Sequence, residues 1–396
     1  MACDRIIVQS DWNECLREAH GKAWVTFKTA DPPSVHSELR NCGASGNGLP
    51  YVQAEDGFSV TNITKKTMTV AYSGNGVKLT RKFVAPQITF STVHQLKKGV
   101  QCLDVTTEGL GVSCDNVGNL RVWQTDNGEV RRELRGHLGD VYSCKFFPSG
   151  IVILSGGADM QIKVWSAETG KEAATIIGHR GAVLDTVIVE RGRNVVTCSR
   201  DGTARLWDVG QKEELYTWTE LGGEINCCTL AATDNSVKLG VPDENPSDRE
   251  ILTEGKLLVL GSEAGSLLGF GLHSRKPVFE VKCGSAVNCC KFISDTQIAC
   301  GTQGGEIFVI DARNPSAPLR QWKESRSAIL SLLSHKQGLF VSTGDGSLFY
   351  LNEEFETMVE MTGSDCDPVY SIAKDDTHIF ASCRDGAIRK YSLQHL

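Results

Sequence analysis

Histidine, cysteine and paired carboxylates are the side chains that could carry acid–base, nucleophilic or metal chemistry. The chain holds nine histidines and 15 cysteines. They lack the spacings that such chemistry needs. No Cys-x-x-Cys pair occurs, and the histidines are scattered without ligand spacing. The phosphate-cradling GxxxxGK[ST] loop, the zinc-binding HExxH, the GxSxG nucleophile elbow and the GxGxxG dinucleotide fingerprint are all missing. No two carboxylates are placed together in a plausible acid–base environment. No catalytic residue, cofactor or metal is expected, and an enzyme is not the reading. The dipeptides Cys227-Cys228 and Cys289-Cys290 sit in apolar runs, where free cysteine behaves as a small hydrophobe.

The elements that must position the polar residues follow from composition and period. The chain has 396 residues, 40% of them apolar and 22% charged, with a net charge of −7. That is a globular profile with ample core. Duplex nucleic-acid binders present basic faces, because phosphate neutralisation supplies much of their affinity. An acidic balance argues against nucleic acid as a partner. No apolar run approaches the ~20 residues that span a bilayer, so no membrane is expected. Met1 to Ser10 shows no basic stretch followed by a long apolar one, and no targeting segment is read there. Abundant unpaired cysteine points to a reducing compartment, hence cytoplasmic and also nuclear localisation.

A repeat organises most of the chain. The tight turn Ser-Arg-Asp-Gly at Ser199 to Gly202 places Asp201 six residues before Trp207, and Asp159 stands likewise before Trp165. Continued along the chain, the turn position falls at Val117, Asp159, Asp201, Ala264, Gly304, Asp345 and Asp385, in steps of 42, 42, 63, 40, 41 and 40 residues. The partner column reads Trp123, Trp165, Trp207, Phe270, Ile310, Leu351 and Tyr391. A second column at the start of each repeat reads Val100, Val141, Val183, Ile225, Val287, Ile329 and Val369, all β-branched. Cys144, Cys228 and Cys290 share one slot of the repeat, and Trp218 and Trp322 share another. Slots filled in several repeats are packing positions. Short β-branched runs between Gly, Pro and Asp turns read as strands.

With Gly136-His137, Gly178-His179 and Trp207-Asp208, these units resemble WD repeats, over roughly residues 95 to 396. The period of about 40–45 residues is that of a four-stranded propeller blade. The resemblance implies an all-β fold: a seven-bladed WD-repeat β-propeller. It also implies a structural hydrogen-bond network through His137, Ser155, Asp159 and Trp165, and again through His179, Thr197, Asp201 and Trp207. Only these two repeats carry all four residues in the expected columns, and Val117 stands where the first repeat should have an aspartate. The last repeat lacks a fourth strand, and a propeller must close or leave open edges. Residues 84–95, with QITFSTVH at 87–94, are expected to supply the closing strand.

Residues 1–83 lie outside the repeat and read as a small N-terminal α+β domain. A helix is expected over Ser10 to His20, strands over 23–28, 57–63 and 68–72, and loops from Asp31 to Pro50. Residues 84–396 form the propeller. The polar, Pro-containing stretch 233–254 reads as an exposed flexible loop inserted in repeat four, on the face opposite the Asp-Gly turns. The turn-bearing face is the expected binding surface. Its acidic candidates are Asp115, Asp140, Glu220, Glu224, Glu263, Glu306, Asp365 and Asp367. Its basic ones are Lys97, Lys98, Arg180, Arg200, Arg326 and Arg384. Ring closure should bring Asp365, Asp367, Asp115 and Asp140 into one acidic arc able to steer a charged partner.

The stretches at 146–150, 153–168, 191–208 and 362–373, with QSDW at 9–12 and NPSDRE at 245–250, resemble the proteasomal ATPase-associated factor family of WD-repeat proteins. That resemblance implies an assembly chaperone of the proteasome regulatory particle. Such a protein binds the C-terminal domain of an AAA ATPase subunit through its propeller and restrains docking to the core particle. It would act as a monomer. Two alternatives share the propeller: a WD-repeat substrate receptor of a ubiquitin ligase, which would carry a helical adaptor-binding module, and a peptide-reading scaffold, which would carry an aromatic cage.

Overall fold

The computed structural model describes residues 4–29, 33–44, 48–74, 76–243, 245–323 and 327–395. Arg326, one of the basic candidates, lies outside these residues. The repeats form seven four-stranded antiparallel blades. The first strands of the blades are Val100–Val105, Val141–Phe146, Val183–Val189, Ile225–Ala232, Val287–Phe292, Ile329–His335 and Val369–Lys374. Each neighbours the next, and the seventh neighbours the first, so the ring closes.

Burial grades outward across a blade. The second strands, such as Val152–Gly157 and Asn194–Ser199, are sandwiched between adjacent blades and buried at nearly every position. The outer strand Glu172–Ile177 is exposed on one side. A strand covered on both faces must be apolar throughout, whereas an outer one alternates. The β-branched column is buried in all seven blades. Trp123, Trp165, Trp207, Ile310, Leu351 and Tyr391 of the aromatic column are buried too, and Phe270 is half-buried. Cys144, Cys228 and Cys290 lie in the cores between blades, as do Trp218 and Trp322.

Among the described residues, seven strands and one helical turn precede the ring: β1 (Arg5–Val8), α1 (Trp12–Cys15), β2 (Lys22–Lys28), β3 (Val35–Ala44), β4 (Pro50–Gln53), β5 (Phe58–Ile63), β6 (Thr67–Gly74) and β7 (Val77–Val84). This corrects the α+β expectation, because the module is built almost wholly of strands. Its expected helix is a single turn. Trp12 and Leu16 anchor that turn in the core, and Asn41 Nδ2 donates to the Leu16 and Glu18 carbonyls at its end. The chain then reverses at Gly21, where a Cβ would stand 1.8 Å from the Cys15 carbonyl oxygen. So short a helix has no stability of its own and persists only by packing. The expected loop before Pro50 contains β3. Its inward positions include Ser37 and Asn41 beside Val35 and Leu39, so the apolar alternation that marks a strand is diluted.

Strands β1–β4 form one sheet. Strands β5–β7 join blade six, where β7 runs parallel to the outer strand Thr357–Met361 and makes a seven-stranded sheet. Phe27, stacked on Tyr72 at 4.0 Å between centroids, joins Ile6, Trp12, Leu39, Val70 and Phe83 in the module's own core. Thr362 ties this module to two blades. It accepts from Trp12 Nε1 at 3.1 Å, its N–H donates to the Val84 carbonyl, and its carbonyl accepts from Tyr391 Oη at 2.8 Å.

Strand β8 (Ile88–Phe90) pairs antiparallel with Ile388–Ser392 and becomes the fourth strand of blade seven. It covers three residues of the longer stretch read as a strand. Phe90 is buried against Trp123 of blade one, at 5.2 Å.

The inserted stretch is docked rather than loose. Val237 is buried in the core of blades four and five. Asn194 of blade three accepts from the Ile251 N–H at 2.7 Å and donates to the Arg249 carbonyl. The Glu250 carboxylate is fully buried and pairs with Arg275, which lies over Tyr216. Proline and acid content suggested solvent, but one half-buried Asn–backbone clamp and one buried ion pair are enough to hold the loop down.

Candidate protein-binding face

Every blade carries its third-strand turn on one end of the ring, beside the segment that leads into the next blade. In blade two, His137 Nδ1 lies 2.9 Å from Asp159 Oδ2 and His137 Nε2 lies 2.7 Å from Ser155 Oγ. The Trp165 indole N–H donates to the same Ser155 oxygen at 2.8 Å. Blade three repeats this with His179–Asp201 at 2.8 Å, His179–Thr197 at 2.7 Å and Trp207–Thr197 at 2.9 Å. The carboxylate also accepts the Leu138 N–H in blade two and the Arg180 N–H in blade three. Serine, histidine and aspartate in this order are the makings of a nucleophile. Here, however, Ser155 is fully buried: its oxygen accepts the indole N–H and its hydroxyl donates to the imidazole, out of reach of any substrate. The trio stitches a turn to its blade.

Blade one holds a third network that the sequence reading missed. His94 Nε2 lies 2.8 Å from Ser113 Oγ, which accepts from Trp123 Nε1 at 3.0 Å, and His94 Nδ1 lies 3.3 Å from Asp115 Oδ2. The aspartate sits two residues before the Val117 turn position, and the histidine lies in the segment outside the repeat. One signal was available: Ser113 precedes Trp123 by 10 residues, as Ser155 precedes Trp165.

This removes Asp115 from the docking candidates. It is 1% exposed. Its carboxylate accepts from Asn119 Nδ2 and from the Asn119 and Val117 backbone N–H groups. Burial raises its pKa, but these bonds and His94 outweigh it and hold the carboxyl well below the usual range. Asp201 is held down to about 2, burial again being overcome, here by Thr203, the Arg180 N–H and His179.

The other candidates remain on the surface but are mostly paired. Asp367 accepts from Arg384 at 2.8 Å, Glu224 from Arg200 at 3.2 Å, Glu306 from Lys323 at 2.8 Å and Glu263 from Asn226 at 2.7 Å. Asp140 is half-buried, and Glu220 and Asp365 are exposed. With Asp115 buried and Asp367 neutralised, the four-residue acidic arc reduces to Asp140 and Asp365.

The central channel holds a cavity of about 520 Å³ lined by first strands. Its charges bind blades to one another. Asp104 accepts the Phe146 N–H of blade two at 2.8 Å. Lys145 pairs with Asp185 of blade three at 2.8 Å, and Asp185 accepts the Cys228 N–H of blade four at 3.1 Å. Asn226, Asn288 and Lys374 donate to the Val287, Ile329 and Ser334 carbonyls of their neighbours. Burial works against the Lys145 charge, but Asp185 more than offsets it and raises the ammonium pKa. No group of three metal-binding side chains occurs among the described residues. No described helix is long and apolar enough to cross a membrane.

Residues 128–166 and 170–208 match the WD domain, G-beta repeat family. Across 390 residues the chain is 45% identical to proteasomal ATPase-associated factor 1 of Gallus gallus, covering 98% of each chain. It is 44% identical to the Homo sapiens protein of that name, again over 98% of each. It is 27% identical to the 26S proteasome regulatory subunit RPN14 of Saccharomyces cerevisiae over 237 residues, 57% of this chain and 56% of that one.

Proposed function

Since the chain belongs to the family of proteasomal ATPase-associated factor 1, a family of proteasome-associated WD-repeat proteins, we propose that it is an assembly chaperone of the proteasome regulatory particle base. It docks the C-terminal domain of an AAA ATPase subunit on the turn-bearing face, as a monomer, in the cytoplasm and nucleus. While bound, it restrains docking of that ATPase to the core particle.

One observation carries this reading. The likeness to proteasomal ATPase-associated factor 1 spans 98% of both chains, so it takes in the N-terminal module and the docked insertion as well as the repeats. Similarity that rested on WD repeats alone would identify a scaffold and leave its role open. The shape suits the task. Networks in blades one to three and polar links across the channel stiffen the ring, and a rigid face competes with a later partner without any chemistry of its own. The ubiquitin-ligase alternative calls for a helical adaptor-binding module, whereas the module here is built of strands around one helical turn.

The test is capture of the tagged full-length chain from cell extract, with mass spectrometry of the bound proteins. Regulatory-particle ATPases without core-particle subunits are expected. A cullin adaptor, histones or a complete absence of proteasome subunits would remove the reading and leave the propeller standing.

A further inference from the structure

The turn between the second and third strands has a residue with positive φ in every blade. Six are glycines: Gly118, Gly202, Gly265, Gly305, Gly346 and Gly386, with φ between 77° and 89°. The seventh is Met160, at φ 62°. A methionine in the left-handed region is strained where glycine is not. Packing does not explain it, because Met160 is 43% exposed. Blade two thus holds a strained turn that presents an apolar side chain to solvent. Strain kept at a solvent-facing position points to a use for the side chain.

Met160 is not alone. Leu138, Val117 and Leu96 are 79%, 50% and 61% exposed. Backbone contacts make the four contiguous. A Cβ at Gly118, next to Val117, would stand 2.4 Å from the Gly139 carbonyl oxygen, next to Leu138. Gly139 in turn abuts Ala158, two residues before Met160. The Lys97 N–H donates to the Asp385 carbonyl of blade seven and the Asn116 N–H of blade one to the Gly99 carbonyl, so the Leu96 loop bridges these two turns, and Gln95 lines the same hollow as Val117. Scattered exposed apolar residues are ordinary, but a run of four along one arc marks an interaction site. Methionine, adaptable in shape, is favoured on such surfaces.

The charge around the run is positive. Lys97, Lys98 and Arg180 have no ion-pair partner among the described residues, and Arg135 is 86% exposed while reaching Glu133. Most acids of this arc are withdrawn, and half-buried Asp140 is the exception without an ion pair among the described residues. Asp115 and Asp159 are tied to histidines, and Glu133 is held by Arg121 and Arg135.

We propose that the arc over blades one and two, with Leu96, Val117, Leu138 and Met160 at its centre and Lys97 and Arg180 at its rim, docks a partner protein through a segment of apolar side chains set among carboxylates. It rests on the chaperone reading only for who that partner is.

The probe is a random twelve-residue peptide library selected on the full-length chain, followed by anisotropy of the enriched peptides. Enriched peptides carry Leu, Ile, Phe or Met beside Asp or Glu. The double variant Leu138→Ser with Met160→Gly binds them about tenfold or more weakly. Its Tm is unchanged or higher by about 1–2 °C, because Met160→Gly relaxes the turn. Lys97→Glu with Arg180→Glu weakens binding most at low salt. Basic peptides, no enrichment, or binding untouched by both variants would overturn the proposal. The two readings fail separately. Wild-type chain that captures no ATPase removes the chaperone role and leaves the peptide result to decide. Equal ATPase capture by wild type and both variants removes the arc as that docking site and leaves the chaperone role intact.

Discussion

A buried aspartate and an exposed one look alike in a sequence, and Asp115 shows what separates them. In the sequence Val117 holds the blade-one turn position, and nothing in the repeat pattern names a partner for Asp115. Three-dimensional contact with His94, from outside the repeat, gives it one. Asp115→Ala strips acceptors from the His94 imidazole, the Asn119 amide and two backbone N–H groups. The expected cost is about 2–4 kcal/mol, measured by denaturant unfolding. A docking residue would change binding and leave stability alone, so an unaltered unfolding midpoint would return Asp115 to the surface. The three network histidines also set a pH dependence. Burial holds His94, His137 and His179 below the ordinary imidazole range, against the opposing pull of their aspartates. Unfolded imidazoles take up protons near pH 6.5. Between that value and the lower folded one, the unfolded chain binds more protons, and stability falls as pH falls. The contributions of Asp115 and Asp201 are full above about pH 4 and are lost only as pH drops toward their depressed folded values. Tm should therefore decline as pH falls below about 6.5 and fall again below about pH 4. A flat profile below pH 7 would show that folding leaves the imidazole pKa values unshifted.

At the scale of elements, the columns were legible because packing repeats. A β-branched start and a large apolar third strand recur in each blade, since each blade meets the same two neighbours. The blade-two and blade-three networks were legible for the same reason. What escaped was whatever broke register or gained its order from elsewhere. The blade-one network shifts its aspartate by two residues. The helix at Ser10 to His20 shrinks to one turn because β2 begins at Lys22. Strand β3 hides behind Ser37 and Asn41. The inserted stretch reads as solvent-exposed because its anchors, Asn194 and Arg275, lie on other segments. Strand β8 is the element on which closure turns, for Phe90 joins blade seven to Trp123 of blade one. Phe90→Ala is expected to cost about 3–5 kcal/mol. It should lower the melting of the whole ring in one transition, as followed by calorimetry. A separate early transition confined to blade seven would show that the ring does not depend on β8.

At the scale of the molecule, two N-terminal strands are spent on the far end of the chain. Strand β7 lies beside residues 357–361, and β8 completes a sheet with residues 388–392. In the cell, β8 leaves the ribosome about 300 residues ahead of its partner. At synthesis rates of about 5–20 residues per second, that is an interval of roughly 15–60 s. Through that time β7 and β8 have unpaired edges and Phe90 has no cover from blade seven. Blades two to five can form as they emerge, but the ring is sealed only once residues 388–392 are made. Until residues 388–392 are made, a nascent chain of this design carries open edges that can pair with other chains.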